Sequence, residues 1–170
     1  DADYRGLVPE ACRLLLGPAH AMLRDEFAWA RPLALERRSA GTVTRVLVSM
    51  GLTDPEGIAG KIVREILRRE PALAIDCVLG ADSTSLEAIA ELAKSGANVA
   101  CHVDPPSMAA LMVEADIAVG AAGTTVWERC CLGLPGIVVG IAGNQRANAA
   151  MLAARGAAEV VGPDPVAIVE

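Results

Sequence analysis

The feature that most constrains the fold is a regular alternation of short apolar runs with helix-period segments, which begins at Thr44. The run "RVLVSM" (45–50) is β-branched and stops at Gly51, as is typical of a strand buried on both faces. The next segment, "GIAGKIVREILRRE", places Ile58, Ile62 and Ile66 at helical spacing. This strand–helix order repeats to the end of the chain and predicts six strands separated by five helices.

The remaining elements follow the same rule. The further predicted strands are "ALAIDCVLG", "NVACHV", "DIAVGA", "GIVVGI" and "AAEVVG", and the further helices are "SLEAIAELAKSG", "SMAALMVEA", "TTVWERCCLG" and "NQRANAAMLAARG". Repeated right-handed βαβ units build a parallel sheet covered on both faces. We therefore predict an α/β domain, a Rossmann-like parallel sheet flanked by helices. Ligands of such sheets bind at the carboxyl ends of the strands, near the point where the strand order reverses.

Residues 1–42 differ from the rest of the chain. Pro9, Pro18 and Pro32 are expected to interrupt their local helical patterns. We interpret this stretch as a connecting segment and residues 43–170 as the domain. The chain also begins with Asp1 rather than Met, which favours a piece of a longer protein.

Composition excludes several classes of function. The net charge is −6 and only two residues are lysine, which argues against a nucleic-acid footprint and requires any phosphate to be held by backbone N–H groups. The five cysteines lack metal-binding spacing, and no apolar run reaches the ~18 residues of a membrane span. We expect a reduced, cytoplasmic chain with neither a metal nor a cofactor.

The stretch "GAAGTTVWERCCLGLP" (120–135) follows the fourth predicted strand and has two interpretations. Thr125 and Glu128 have the spacing of a capping box, in which both side chains satisfy a helix N-terminus. Alternatively, Gly120 and Gly123 let the backbone curl around a diphosphate, and Glu128 accepts hydrogen bonds from ribose hydroxyls. The spacing alone favours neither interpretation.

Three other loops offer weaker candidates. In "SMGLTDPEG" (49–57), Asp54 is the expected N-cap and Pro55 the first helical residue. In "GIAGNQRAN" (140–148), Asn144 is either a plain N-cap or, with Gln145, a contact to a sugar hydroxyl. In "CHVDPPSM" (101–108), a stiff loop capped by Ser107 is able to read a base edge. The residues show no nucleophile–histidine–acid set.

Taken in order, "VSMG-TDP", "ADIAVGAAGTTVWERCCLGLP" and "GNQ" resemble the C-terminal half of GT-B-fold nucleotide-sugar enzymes. The nearest match is the family of UDP-sugar hydrolases of pseudaminic acid biosynthesis, which serves flagellin and surface-glycan modification. "LLLGPAHAMLRDEF" is similar to the interdomain segment of that family. The resemblance implies release of UDP from UDP-2,4-diacetamido-2,4,6-trideoxy-β-L-altropyranose.

The resemblance also implies a set of residues that contact the substrate. The diphosphate would face Ala122, Gly123, Thr124 and Thr125, and the ribose would face Glu128. The uracil would be bordered by the segment from His102 and Val103 to Met108. The cleft would be completed by Ser49, Met50, Gly51, Asn144 and Gln145.

The chain departs from the family pattern at two positions, since Leu52 stands where a second glycine is usual and His20 replaces an aromatic residue. The family carries its catalytic histidine in an N-terminal domain, so we expect that domain as a partner and no catalytic residue in this chain. Two alternatives remain open: the donor half of a glycosyltransferase similar to the lipid-II N-acetylglucosaminyltransferase, and a non-catalytic nucleotide-sugar binding module.

Overall fold

The strands and helices follow the predicted alternation. The computed structural model describes residues 4, 6–38, 41–140 and 143–169. The strands are β1 (Arg45–Ser49), β2 (Ala74–Leu79), β3 (Val99–Val103), β4 (Ile117–Ala121), β5 (Gly136–Val139) and β6 (Glu159–Val161). The helices are α1 (Asp25–Arg38), α2 (Ile58–Arg69), α3 (Leu86–Lys94), α4 (Met108–Glu114), α5 (Thr125–Cys131), α6 (Arg146–Ala154) and α7 (Pro165–Val169). Within these described ranges, no helix combines the length and apolarity needed to cross a bilayer.

The six strands form one parallel sheet in the order β3-β2-β1-β4-β5-β6. The predicted Rossmann-like architecture is therefore confirmed. The chain builds outward from β1 to β3, then returns to place β4 on the other side of β1. The strand order thus reverses between β1 and β4, where parallel sheets of this kind bind ligands.

Helices cover both faces of the sheet with aliphatic side chains. One face packs α2, α3 and α7 over β-strand residues such as Val48 and Cys77. The opposite face packs α1 and α4 over Leu47 and Val78, and packs α5 and α6 over Val138. Only 2% of the residues are aromatic, so close contact of small aliphatic groups supplies the apolar burial that stabilises the fold.

The expectation that Pro32 interrupts the connecting segment is wrong, because Pro32 lies inside the 14-residue helix α1. A mid-helix proline removes one backbone hydrogen bond and crowds the preceding turn. Tertiary contacts compensate for this cost: Phe27 and Ala34 are completely buried against α4 and the end of α5. At the end of α1, the guanidinium of Arg38 donates to the carbonyls of Leu132 (2.6 Å) and Ala115 (3.1 Å) and also to that of Met112.

The start of α2 also differs from the prediction. The helix begins at Ile58, with Gly57 rather than Asp54 in the N-cap position, and Pro55 precedes it. Asp54 nevertheless caps the helix through its buried carboxylate, which accepts the N–H groups of Ile58 (2.9 Å) and Ala59 (3.0 Å). The hydroxyl of Ser85 donates to the same carboxylate at 2.5 Å. The sequence identified the capping residue and misplaced the first helical turn.

We expect the Asp54→Ala substitution to lower the free energy of unfolding by about 2 kcal/mol, since three buried donors lose their acceptor. Urea denaturation measures this loss. Asp82→Ala, which changes an exposed aspartate in the next loop, is the matched control and should change stability by less than about 0.5 kcal/mol. Equal losses in the two variants would contradict the capping role.

Candidate functional site

The loops that follow β1 and β4 lie side by side at the carboxyl edge of the sheet. Ser49 at the end of β1 pairs with Gly120 of β4, and a Cβ on Gly120 would overlap the carbonyl oxygen of Ser49. Gly51 is exposed and has a φ of 101°, a conformation that favours glycine. Met50 is 2% exposed and packs in the core, so only its backbone can face the cleft.

The turn after β4 is already paired with residues of the next loop. The N–H of buried Ala122 donates to the side-chain oxygen of Gln145 (3.1 Å), and the carbonyl of Ala122 accepts from the amide of Asn148 (3.1 Å). The Gln145 amide nitrogen also lies 3.8 Å from the position of a Cβ on Gly123. The structure thus joins three predicted site residues, and the side chain of Asn144 lies outside the described residues. A ligand that uses the Ala122 N–H must displace Gln145.

The start of α5 does not form the capping box. The helix begins at Thr125, and its N-cap residue, Thr124, makes no side-chain capping hydrogen bond. Glu128 instead turns toward the start of α1, where its carboxylate lies 3.6 Å from the guanidinium of Arg24. The box interpretation is therefore wrong; Thr124 is exposed, and Thr125 is half-buried.

A buried cation lies directly beneath the glycine-rich turn. Arg129 is 6% exposed, and its guanidinium donates to the carbonyl of Ala121 (3.2 Å) and sits beside Gly120 and Gly136. Among the described residues no carboxylate lies within ion-pair distance of it. Burial lowers the pKa of Arg129 to about 10, so the side chain keeps its charge at neutral pH. This positive charge makes the turn a favourable place for an anion.

Glu128 belongs to a chain of polar contacts that begins in the connecting segment. The guanidinium of Arg24 lies 3.0 Å from a carboxylate oxygen of Glu26, and the other oxygen of Glu26 accepts from the hydroxyl of Ser107 (2.7 Å). Ser107 also caps α4 as predicted, by accepting the N–H of Ala110 (3.2 Å). Burial raises the pKa of the Glu128 carboxyl, Arg24 opposes this shift, and Glu26 adds to it.

His102 lies toward the far edge of the sheet from the glycine-rich turn. Its Nε2 is 2.7 Å from the carboxylate of buried Asp76, whose other oxygen accepts from Arg45 (2.8 Å). Val103 at the end of β3 is exposed, and Met108 at the start of α4 packs against the core. The strand order separates β3 from β4 by three positions, or about 14 Å at the usual strand spacing. The sheet therefore keeps the segment from His102 to Met108 apart from the turn. The two are connected instead by side-chain contacts that run from Ser107 through Glu26 and Arg24 to Glu128.

A cavity of about 380 Å³ opens beside the turn. It is lined by Ala122 and Gln145 together with residues of α6 and the loop before it, including Arg146, Ala149 and Gly143. Its volume falls within the ~300–1,000 Å³ range of small-molecule sites. The cleft thus has room for a group attached to a ligand held at the turn.

Arg129, Arg24 and Glu26 were missed as site residues by sequence reasoning. Arg129 reads in sequence as an ordinary polar residue of a helix, and only the packing shows that it is buried under the turn. The motif "MLRDEF" contains Arg24 and Glu26, so the similarity of that motif to an interdomain segment was the one available signal.

Comparison with known families finds one matching model, over the part of the chain that contains β3 to β6. Residues 84–164 match the model of the glycosyltransferase family 28 C-terminal domain. This range contains the glycine-rich turn, Glu128, Arg129 and Gln145.

Two curated relatives extend over most of the chain. The UDP-2,4-diacetamido-2,4,6-trideoxy-β-L-altropyranose hydrolase of Campylobacter jejuni is 25% identical over 155 residues, covering 91% of this chain and 54% of the relative. The spore coat polysaccharide biosynthesis protein SpsG of Bacillus subtilis is 27% identical over 164 residues, covering 93% and 46%. The chain therefore spans about half the length of these curated relatives.

Among solved structures, MurG of Acinetobacter baumannii superimposes with a TM-score of 0.61 at 20% identity, covering 96% of this chain and 47% of MurG. MurG is a GT-B glycosyltransferase. This likeness shows the fold, which is that of one half of a GT-B protein.

Buried Arg129 and half-buried Arg38, both on the α5 side of the sheet, should respond differently to substitution. Arg129→Met removes an unpaired buried charge but leaves one carbonyl without its donor, so these opposing effects should change the free energy of unfolding by less than about 2 kcal/mol. Arg38→Met leaves several carbonyls at two helix ends without a donor and should cost about 3 kcal/mol or more. Denaturant unfolding of both variants gives the comparison, and an Arg129→Met loss equal to that of Arg38→Met would contradict it.

Proposed function

We propose that this chain, whose residues 84–164 match the model of the glycosyltransferase family 28 C-terminal domain, binds the nucleotide part of a UDP-sugar. The observation that carries the proposal is the convergence of the β1 and β4 loops at the point where the strand order reverses, above buried Arg129, which has no ion-pair partner among the described residues. The family match over the second of these loops supports it.

The diphosphate lies at the glycine-rich turn. Gly123 gives close access to the backbone, the hydroxyls of Thr124 and Thr125 donate hydrogen bonds, and Arg129 supplies positive charge from below. The Ala122 N–H joins them once Gln145 has moved away. This arrangement needs no basic surface patch, which agrees with the net charge of −6.

The ribose is bound by Glu128. Its carboxylate makes no capping contact, is four-fifths buried and lies one turn into α5, beyond the position of the diphosphate. A carboxylate accepts hydrogen bonds from both hydroxyls of a ribose, which gives the site a preference for ribonucleotides.

The uracil and the sugar, at the two ends of the ligand, lie against the loops on either side of the turn. The backbone of the stiff segment from His102 to Met108 borders the uracil, and the sugar enters the cleft between Ser49–Gly51 and the cavity beside Gln145. Asn144, in the 3₁₀ turn Gly143–Gln145, completes the sugar side of the cleft.

The reaction of the whole protein is hydrolysis of the bond between UDP and a 2,4-diacetamido-trideoxy hexose. The support is the relation to the Campylobacter jejuni hydrolase over most of the chain. Residues outside this chain activate water, while the turn and Arg129 stabilise the charge on departing UDP. A second candidate is transfer of the sugar to an acceptor, which the glycosyltransferase family match favours.

Ligand-observed NMR should detect UDP binding to this chain at millimolar concentration, with weaker binding of 2′-deoxy-UDP. Glu128→Ala should weaken binding of UDP about tenfold and binding of 2′-deoxy-UDP by a clearly smaller factor, because 2′-deoxy-UDP retains only one of the two hydroxyls that the carboxylate accepts from. Glu87→Ala, at an exposed glutamate in the first turn of α3, is the matched control. Equal weakening of both nucleotides would remove Glu128 from the ribose site.

Assays of UDP release by a full-length protein that contains this chain distinguish the two reactions. Incubation with UDP-2,4-diacetamido-2,4,6-trideoxy hexoses should release UDP and free sugar without any acceptor. Release only after addition of a lipid or sugar acceptor would favour the transferase and exclude the hydrolase.

A further inference from the structure

A line of four polar side chains connects the two parts of the proposed nucleotide site. It runs from Ser107 at the start of α4 through Glu26 and Arg24 to Glu128 on α5, with successive contacts of 2.7 Å, 3.0 Å and 3.6 Å. The two middle members, Glu26 and Arg24, come from the predicted connecting segment, residues 1–42. Both end members border the proposed ligand, one beside the uracil and one at the ribose.

Arg24 is the central member of this line. Its guanidinium lies between the carboxylates of Glu26 and Glu128 and also stacks over the ring of Phe27, with 5.2 Å from its carbon to the ring centroid. Phe27 is completely buried, so the guanidinium of Arg24 lies over a fixed ring although the Arg24 side chain is 55% exposed.

Glu26 is placed to hold Arg24 in position. One of its oxygens accepts from Ser107, and the other is buried and faces the Arg24 guanidinium. A carboxylate fixed at one oxygen presents the other in a defined direction, and Ser107 is itself fixed because it caps α4.

We infer that Glu26 and Arg24 are positioning residues for ribose recognition: Arg24 pairs with the Glu128 carboxylate and aims it at the ribose, and Glu26 fixes Arg24 and ties it to the loop beside the base. The inference rests on the proposed function and adds to it a source of ribonucleotide specificity outside the Rossmann-like domain. Without Arg24, Glu128 would face the negative charge of Glu26 without the cation that now lies between the two carboxylates.

The charges make the two positions distinguishable. The groups that face Glu128 are Arg24 and Glu26 from the start of α1, and Arg129 and Cys130 follow it on α5. Removing the positive charge of Arg24 favours protonation of Glu128, whereas removing the negative charge of Glu26 opposes it. A purely structural role of either residue would not produce opposite pH dependences.

The test measures the ratio of UDP to 2′-deoxy-UDP affinity at pH 5.5 and pH 8, since effects on the phosphates and on folding cancel in this ratio. Arg24→Gln should lower the ratio at least about fivefold, with the larger loss at pH 5.5. Glu26→Gln should lower it at both pH values, with a weaker pH dependence than the unsubstituted chain. Arg24→Lys should restore the pH profile, because the charge returns, but only part of the ratio.

Two neighbouring substitutions are the controls. Arg31→Gln changes another arginine that reaches α5, where it donates to the carbonyl of Cys131, and Asp25→Asn changes the exposed acid beside Glu26. Both should keep the ratio of the unsubstituted chain.

The outcomes separate this inference from the proposed function. If the unsubstituted chain binds UDP with a ribose preference that Arg24→Gln and Glu26→Gln retain, or if these variants weaken both nucleotides equally, only the positioning role is overturned. If the unsubstituted chain shows no UDP binding or no ribose preference, the proposed ribose site fails and the positioning role fails with it.

Discussion

The pairing of β1 with β4 is the contact on which the rest of the molecule depends. These strands are distant in sequence, and their edges meet only because Gly120 has no side chain where Ser49 approaches. The pairing reverses the strand order and so opens a crevice between the loops that follow β1 and β4. It also places the start of α5 at the carboxyl edge of the sheet. Every residue assigned to the diphosphate or the ribose takes its position from this single register.

The site concentrates a few cations in an otherwise acidic chain. Arg129 keeps its charge in a buried place, where the low polarity of the surroundings strengthens its field at the turn. Arg24 acts at the surface on a carboxylate rather than on the ligand. In the proposed site, Arg129 favours an anionic ligand and Arg24 positions an anionic side chain, and neither role requires a basic patch.

The alternation of apolar runs and helical periods was sufficient to predict all six strands and the five helices between them. Buried parallel strands appear in the sequence as continuous apolar runs, whereas amphipathic helices place apolar residues every three to four positions. It was insufficient for α1, where burial of Phe27 and Ala34 overrides the helix-breaking effect of Pro32. It also misplaced the start of α2, since Asp54 caps from three residues before the N-cap position. The glycine-rich turn and Glu128 were visible as a motif, whereas the burial of Arg129 and the Arg24–Glu26 contact depend on packing between distant segments.

The hydrogen bond between Gln145 and the Ala122 N–H has a kinetic consequence. If the diphosphate binds at the turn as proposed, association exchanges the Gln145 acceptor for a ligand oxygen instead of adding a new hydrogen bond. The observed affinity is then reduced by the fraction of molecules in which the Gln145 acceptor remains bound. In the proposed site, binding through the Ala122 N–H is thus coupled to the opening of the Gln145–Ala122 hydrogen bond, and the rate of that opening limits the rate of association by this route.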